Sequence, residues 1–141
     1  MRVRRSAGTD PSGGIETGDI VTVPDRVARI CDALADRKGS RIAVLEVSKL
    51  SAVADHFIIA SAASRIAVQT LADAVRETVA ADGGRAPRVE GYAEGRWICL
   101  DCADVVIHVF QHEVREYFDL ERLWGDAPRA EWTVEPMAIR A

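Results

Sequence analysis

Apolar residues recur every three or four positions over two long stretches of the chain and gather in short, nearly unbroken runs over several others. That pattern predicts helices packed on a sheet. Val27, Ile30, Cys31 and Leu34 fall on one face of a helix over 24–38. Thr22 with Asp25 makes a capping-box-like start, Pro24 sits where a first-turn proline is tolerated, and Gly39 ends the run after Lys38. Val68, Leu71, Val75 and Val79 mark the buried face of a longer helix over 64–81, with Ser64 as its N-cap and Gly83-Gly84 as its stop.

Between and after these helices lie the strand patterns. Residues 42–47 (IAVLEV), 56–61 (HFIIAS), 96–100 (RWICL) and 104–110 (DVVIHVF) are short and β-compatible, and Arg88-Val89-Glu90-Gly91 reads as a strand end. The link over 48–55 is polar at both ends and has room for one helical turn. Asp101-Cys102-Ala103-Asp104 is a hairpin-like turn, and Val105, Val106, Ile107 and Val109 mark a central strand covered on both faces. Val114, Tyr117, Phe118, Glu121, Leu123 and Trp124 follow mostly helical spacing over 113–124, with Gly125 as a stop. The expected order is α-β-β-α-β-β-β-α, an α/β domain with a mixed sheet, over residues 22–128. Residues 1–21, rich in Gly, Ser, Thr and Asp, read as a disordered tail, and 129–141 as a flexible one.

Composition narrows the function. A chain of 141 residues fits one domain that folds without metals or staples. No apolar run approaches the roughly 20 residues of a membrane span, and no signal-peptide core follows the start, so a cytoplasmic protein without a membrane partner is expected. Three cysteines, Cys31, Cys99 and Cys102, cannot all pair within one chain, against an extracellular disulfide framework. A net charge of −4 disfavours a protein that mainly grips phosphates, so little direct nucleic-acid contact is expected, and it suits a basic protein partner.

Candidate chemistry is thin. Cys99-x-x-Cys102 lacks the second pair that zinc needs. It also lies in a strand pattern, where residues three apart face opposite ways, rather than at a helix N-terminus. Asp101 and Asp104 are the residues a metal-dependent nucleotidyl transferase would use, but no glycine-serine phosphate loop with Asp-x-Asp accompanies them, and aspartates at a tight turn have local hydrogen-bonding reasons to be there. His108, inside an apolar strand, reads as a core histidine with a hydrogen-bond partner. Neither Asp55-His56 nor His112 completes a triad. Neither a G-x-G-x-x-G nor a P-loop is present, so no cofactor is expected and the enzyme reading is the alternative. An interaction surface remains. Trp97 lies in a strand pattern that favours core, yet its indole N–H wants a partner and tryptophan is a favoured hot-spot residue. Glu90, Glu94, Asp101 and Asp104 lie close to it in sequence, an acidic rim around an aromatic anchor.

Several blocks resemble the Iojap/ribosome-silencing-factor family: Val44-Leu45-Glu46-Val47, Ala54 to Ser61, Val89-Glu90-Gly91, Gly95-Arg96-Trp97-Ile98, Asp104 to Phe110, and Arg115 to Ala127. The likeness runs from about residue 25 to 128. It implies a nucleotidyltransferase-like topology without that superfamily's catalytic residues. It also implies binding to ribosomal protein fourteen on the large ribosomal subunit, where a bound domain would block joining of the small subunit and repress translation; organelle relatives imply a role in large-subunit assembly. The partner-facing region it implies is Trp97 with Asp101, Cys102, Ala103 and Asp104. Where relatives carry Leu or Tyr followed by Gly, this chain has Cys102-Ala103. A smaller residue at 102 is expected to bury less area on the partner, and an alanine at 103 to cost about 1 kcal/mol relative to glycine if the turn is left-handed there. Whether the free protein is a monomer or a homodimer is left open.

Overall fold

A computed structural model describes residues 2–7, 21 and 23–135. Its elements are β1 (Arg2–Ala7), α1 (Asp25–Asp36), β2 (Ser40–Glu46), β3 (His56–Ala62), α2 (Arg65–Ala81), β4 (Arg88–Glu90), β5 (Trp97–Asp101), β6 (Val105–Gln111), α3 (His112–Phe118), α4 (Leu120–Leu123) and β7 (Arg129–Glu135). The mixed α/β architecture expected from the pattern is the one found. Seven strands form a sheet ordered β1-β7-β2-β3-β6-β5-β4. Every neighbouring pair is antiparallel except the central β3 and β6.

The two long helices form as their stripes dictate. Val27, Ile30, Cys31 and Leu34 of α1 are all buried, as are Val68, Leu71, Val75 and Val79 of α2. Ser64 caps α2 by accepting from the Ala67 N–H at 3.1 Å. At the other end Gly83 turns left-handed while the Gly84 N–H reaches back to the Val79 carbonyl, satisfying carbonyls the last turn would leave orphaned. In α1 the same closure runs through Lys38 and Gly39, with the Gly39 N–H on the Leu34 carbonyl at 2.8 Å. The start of α1 differs from expectation: Pro24 occupies the N-cap with no side-chain cap, and Thr22 lies outside the described residues.

Both helices cover one face of the sheet. Their stripes pack on Val44, Ile58, Ile98, Leu100, Ile107 and Val109. The opposite face carries Ala43, Leu45, Phe57, Ile59, Val106 and Phe110, and among the described residues α3, α4 and the segment after them lie over it, with Val47 and Ala54 of the β2–β3 link joining the same cluster.

Three further features depart from the sequence expectation. The helix expected over 113–124 is two helices, because Asp119 adopts a left-handed conformation (φ 49°) between them. That break lets Glu121 return to Arg115. In an unbroken helix residues six apart stand about 120° apart around the axis and roughly 9 Å along it, too far for the pair to meet side by side. Here Arg115, only 1% exposed, donates from Nε and Nη2 to the two Glu121 oxygens at 3.2 and 2.7 Å. Its Nη1 donates to Ser61 Oγ at 3.1 Å and to the Ser40 carbonyl at 3.4 Å. Arg129 meets the same carboxylate at 3.0 Å.

The second departure is at the C-terminus, where the expected tail from 129 instead begins with β7. Ala130 and Trp132 are buried, β7 pairs with β2, and Trp132 Nε1 donates to Asp32 of α1 at 3.1 Å. Burial of that indole under α1 is what holds the strand. The third lies in the expected N-terminal tail: Arg2–Ala7 pairs antiparallel with β7, and Val21 is buried against the helix-side core. The rest of the two tails, 8–20 and 136–141, lies outside the described residues.

Candidate docking face

Sheet register arranges the second face into rows. One row is Leu45, Phe57, Val106, Asp101 and Arg88; the next is Ala43, Ile59, His108, Cys99 and Glu90; the third is Ser61, Phe110 and Trp97. Directly paired residues share a face, so the rows are side-chain neighbours. The first two rows change from apolar at the sheet centre to charged at the β4 edge. The C-terminal segment covers the centre, with Trp124 set edge-on to Phe57 at 5.1 Å and Val114 buried. Trp97, Cys99 and Asp101 are left partly exposed in alternation with buried Ile98 and Leu100.

Trp97 is the pivot of this face. Its ring sits 4.9 Å from both Phe110 and Phe118, and Phe118 meets Tyr117 edge-on at 5.0 Å. Its indole N–H donates to His108 Nδ1 at 3.1 Å, so both expectations for these residues meet in one bond. The core histidine has its partner, and the partner is the tryptophan whose N–H needed one. Trp97 is half-buried, which makes it neither core alone nor surface alone. Beyond it, Tyr117, Phe118 and Leu123 are exposed at 81%, 49% and 74%, far more than isolated apolar side chains require. The sequence places Phe118 on the helical stripe of 113–124 but does not point to it as a contact residue. Helical spacing alone did not separate its two faces, because the helix breaks at the next residue.

The turn at 101–104 is closed from within. Asp101 Oδ1 accepts from the Ala103 N–H at 2.9 Å, and the Cys102 N–H donates to the Val105 carbonyl at 2.9 Å. Asp104 pairs with Arg26 at 2.6 Å, while its carbonyl accepts from the Asp55 and His56 N–H groups. Both carboxylates named in the enzyme alternative therefore have local structural partners. Ala103 is left-handed, with φ 74°, so the condition under which alanine costs more than glycine there is met. Replacing it with glycine is expected to raise stability by about 0.5–1 kcal/mol, the steric relief outweighing the added freedom of the unfolded chain. Urea denaturation measures this, and a destabilised Ala103→Gly chain would show the turn to be unstrained.

Cys102 does not lie where a partner would meet it. Its side chain is buried in the helix-side core, while Cys99 packs with the opposite face, as residues three apart in an extended chain must. Both thiols are raised by burial, with Asp101 adding to each, and Cys31 is raised by burial and Asp32. These are packing cysteines rather than reactive ones. Glu90 stands beside Cys99 at the edge of the second row. Glu94 is exposed in the loop before β5, outside the rows; that loop is tied to α2 by Gln69 to the Tyr92 carbonyl at 2.7 Å and by the Tyr92 hydroxyl to Asp73 at 3.0 Å. Gly91 is required there, because a Cβ would fall 2.2 Å from the Trp97 carbonyl.

Burial pushes the His108 imidazole down to about 4. The unfolded chain takes up a proton near the ordinary value of 6.5, and the folded chain resists doing so until about 4. Stability is therefore intact above pH 6.5 and falls as pH drops toward 4, by about 3 kcal/mol at the bottom of the window. Thermal melts across that range check this. His108→Phe should flatten the slope, and an unchanged slope would assign it elsewhere.

These rows and rings define a class: a small α/β protein whose second sheet face leaves large aromatic side chains exposed at its edge. Residues 21–140 match the family described as ribosomal silencing factor during starvation. The chain belongs to that ribosomal silencing factor family. It is 38% identical over 100 residues to the ribosomal silencing factor of Halalkalibacterium halodurans, covering 71% of this chain and 86% of that protein. It is 38% identical over 104 residues to the ribosomal silencing factor of Bacillus subtilis, covering 74% and 86%. A crystal structure of a Chromobacterium violaceum protein superposes with a TM-score of 0.71 at 30% identity, covering 86% of this chain and 95% of that one.

Proposed function

We propose that this chain docks on the large ribosomal subunit through ribosomal protein fourteen, using the face around Trp97, and sterically prevents the small subunit from joining. It performs no chemistry in this role. The observation that carries the reading is the uncovered aromatic group of Trp97, Tyr117 and Phe118 bordered by Glu90 and Asp101. Aromatic anchors with a polar rim are the composition of a protein-binding hot spot. The acidic border, on a chain of net charge −4, suits a basic partner. Family membership supplies the ribosomal context. Glu94, Ala103 and Asp104 belong to the periphery of the proposed contact, while Cys102 acts only by holding the turn from beneath.

The test is sedimentation of purified large subunits with the protein, followed by addition of small subunits. Co-sedimentation with the large subunit together with loss of joined ribosomes is expected. Protein that stays at the top of the gradient, or ribosomes that join normally in its presence, would defeat the reading.

A further inference from the structure

We propose that His108 is a positioning residue for docking: its Nδ1 holds the indole of Trp97 in the orientation that the partner meets. This deepens the docking reading and rests on it. From Val105 to Phe110 strand β6 is otherwise apolar on both faces, Val105, Val106, Ile107, Val109 and Phe110 all being buried. His108 is itself 92% buried by its 8% exposure, and its Nε2 has no hydrogen-bond partner there. An imidazole with one unmet nitrogen is a poor choice for packing alone, since an apolar ring of similar size would leave no polar atom unsatisfied. What the imidazole does provide is an acceptor, 3.1 Å from Trp97 Nε1. Because Nδ1 accepts, it carries a lone pair, and the proton of the neutral ring sits on Nε2.

The geometry makes this acceptor decisive for the exposed ring. Trp97 lies at the start of β5, half-buried, between Phe110 beneath it and Phe118, which is 49% exposed. Aromatic packing leaves the indole free to slide or flip among offset arrangements of similar energy. One directional hydrogen bond from a buried strand selects among them. His108 is anchored on the central parallel pair of the sheet, with its ring 5.2 Å from that of Phe57 and set edge-on. The titratable groups around it on this face are Cys99 on the neighbouring strand, Asp101 diagonal to it and Glu90 one strand further; β3 offers it Phe57 and Ile59. An ordered hot-spot ring loses less freedom on binding, which strengthens docking without a new contact.

Two variants separate orientation from packing. His108→Phe keeps the ring and removes the acceptor, whereas His108→Asn keeps an acceptor near the Nδ1 position. The full chain is followed by the indole N–H resonance of Trp97, assigned with Trp97→Phe, and by co-sedimentation with large subunits. At pH 7 the wild-type resonance is expected in the hydrogen-bonded range, to move upfield in His108→Phe and to stay in His108→Asn. Docking is expected to weaken about tenfold in the first and to remain within about threefold in the second. In a Trp97→Phe background, His108→Phe should cost no further affinity.

An indole resonance unmoved by His108→Phe overturns the inference, as does a folded His108→Phe chain that docks like the wild type. Should His108→Phe not fold, acid titration of the wild type decides. Protonation of Nδ1 sets two donors face to face, so the Trp97 resonance must move upfield as His108 titrates, and constancy overturns the inference. Failure of the wild type itself to sediment with large subunits overturns the docking reading instead.

Discussion

Arg115→Ala is expected to lower stability by about 3–5 kcal/mol, the cost of breaking a buried ion pair from one side. The arginine is 1% exposed and its partner Glu121 is 12% exposed at the side chain, so neither can turn to water. Removing the guanidinium strands the Glu121 carboxylate with Arg129 and takes one donor each from the Ser61 hydroxyl and the Ser40 carbonyl, which keep the bond between them. Burial alone would raise Glu121, but the hydrogen bond and charge of Arg115, aided by Arg129 and Arg41, hold its carboxyl below the usual carboxylate range. The stabilisation is therefore present above the ordinary carboxylate value and is lost as pH falls through the lower, folded value. At roughly 3–5 °C per kcal/mol for a chain of this length, the melting temperature should drop by more than about 10 °C. The Arg37–Glu77 pair, at 2.9 Å but exposed on both sides, provides the contrast: Arg37→Ala should change stability by less than about 1 kcal/mol. Calorimetric melts of the two variants make the comparison, and a loss under about 1 kcal/mol for Arg115→Ala would mean that the network is not what closes the α3–α4 bend. Because Tyr117, Phe118 and Leu123 ride on that bend, docking should weaken in the same variant.

The second large effect falls on docking. Trp97→Ala should weaken binding to the large subunit by about 2–3 kcal/mol, roughly 30- to 150-fold, if the ring is the hot spot of the contact. It also contacts Phe110, Phe118 and His108, so a stability cost is expected as well. That cost should fall short of the about 3–5 kcal/mol of a fully buried large-to-small change, because the ring is only half-buried. Binding must therefore be measured where the variant is folded, with melting followed in parallel. A folded Trp97→Ala chain that sediments with large subunits as the wild type does would remove Trp97 from the contact. Glu90→Lys is the companion change: it should act mainly on the association rate and its salt dependence, as a rim charge does.

Much of this molecule could be read before any coordinates. The stripes of α1 and α2 depend only on spacing, and the closure of α2 depends on Gly83, whose tolerance of left-handed backbone is intrinsic, whereas at the end of α1 it is Lys38 that turns left-handed. The opposed faces of Cys99 and Cys102 follow from the pleat of an extended chain. The family, too, could be recognised from local blocks such as Gly95 to Ile98 and Asp104 to Phe110. What local pattern missed is instructive. Residues 129–135 alternate in a strand-like way, with Ala130, Trp132 and Val134 in phase, but the stretch is short and follows Pro128, so it passed for a tail.

Periodicity, caps and turn chemistry are local, acting within a few residues, and the sequence by itself determined the two long helices and most strands. Only the tertiary structure decided where Asp119 breaks the last helix, because the gain comes from Arg115 meeting Glu121 between Ser61, Ser40 and Arg129, residues up to 89 positions apart. It alone joined Trp97 to His108 and ranged Tyr117 and Phe118 beside them, since sheet register and the fold-back of α3 set those distances. Burial and hydrogen bonding between distant segments are properties of the packed chain, and the proposed docking face is made of those.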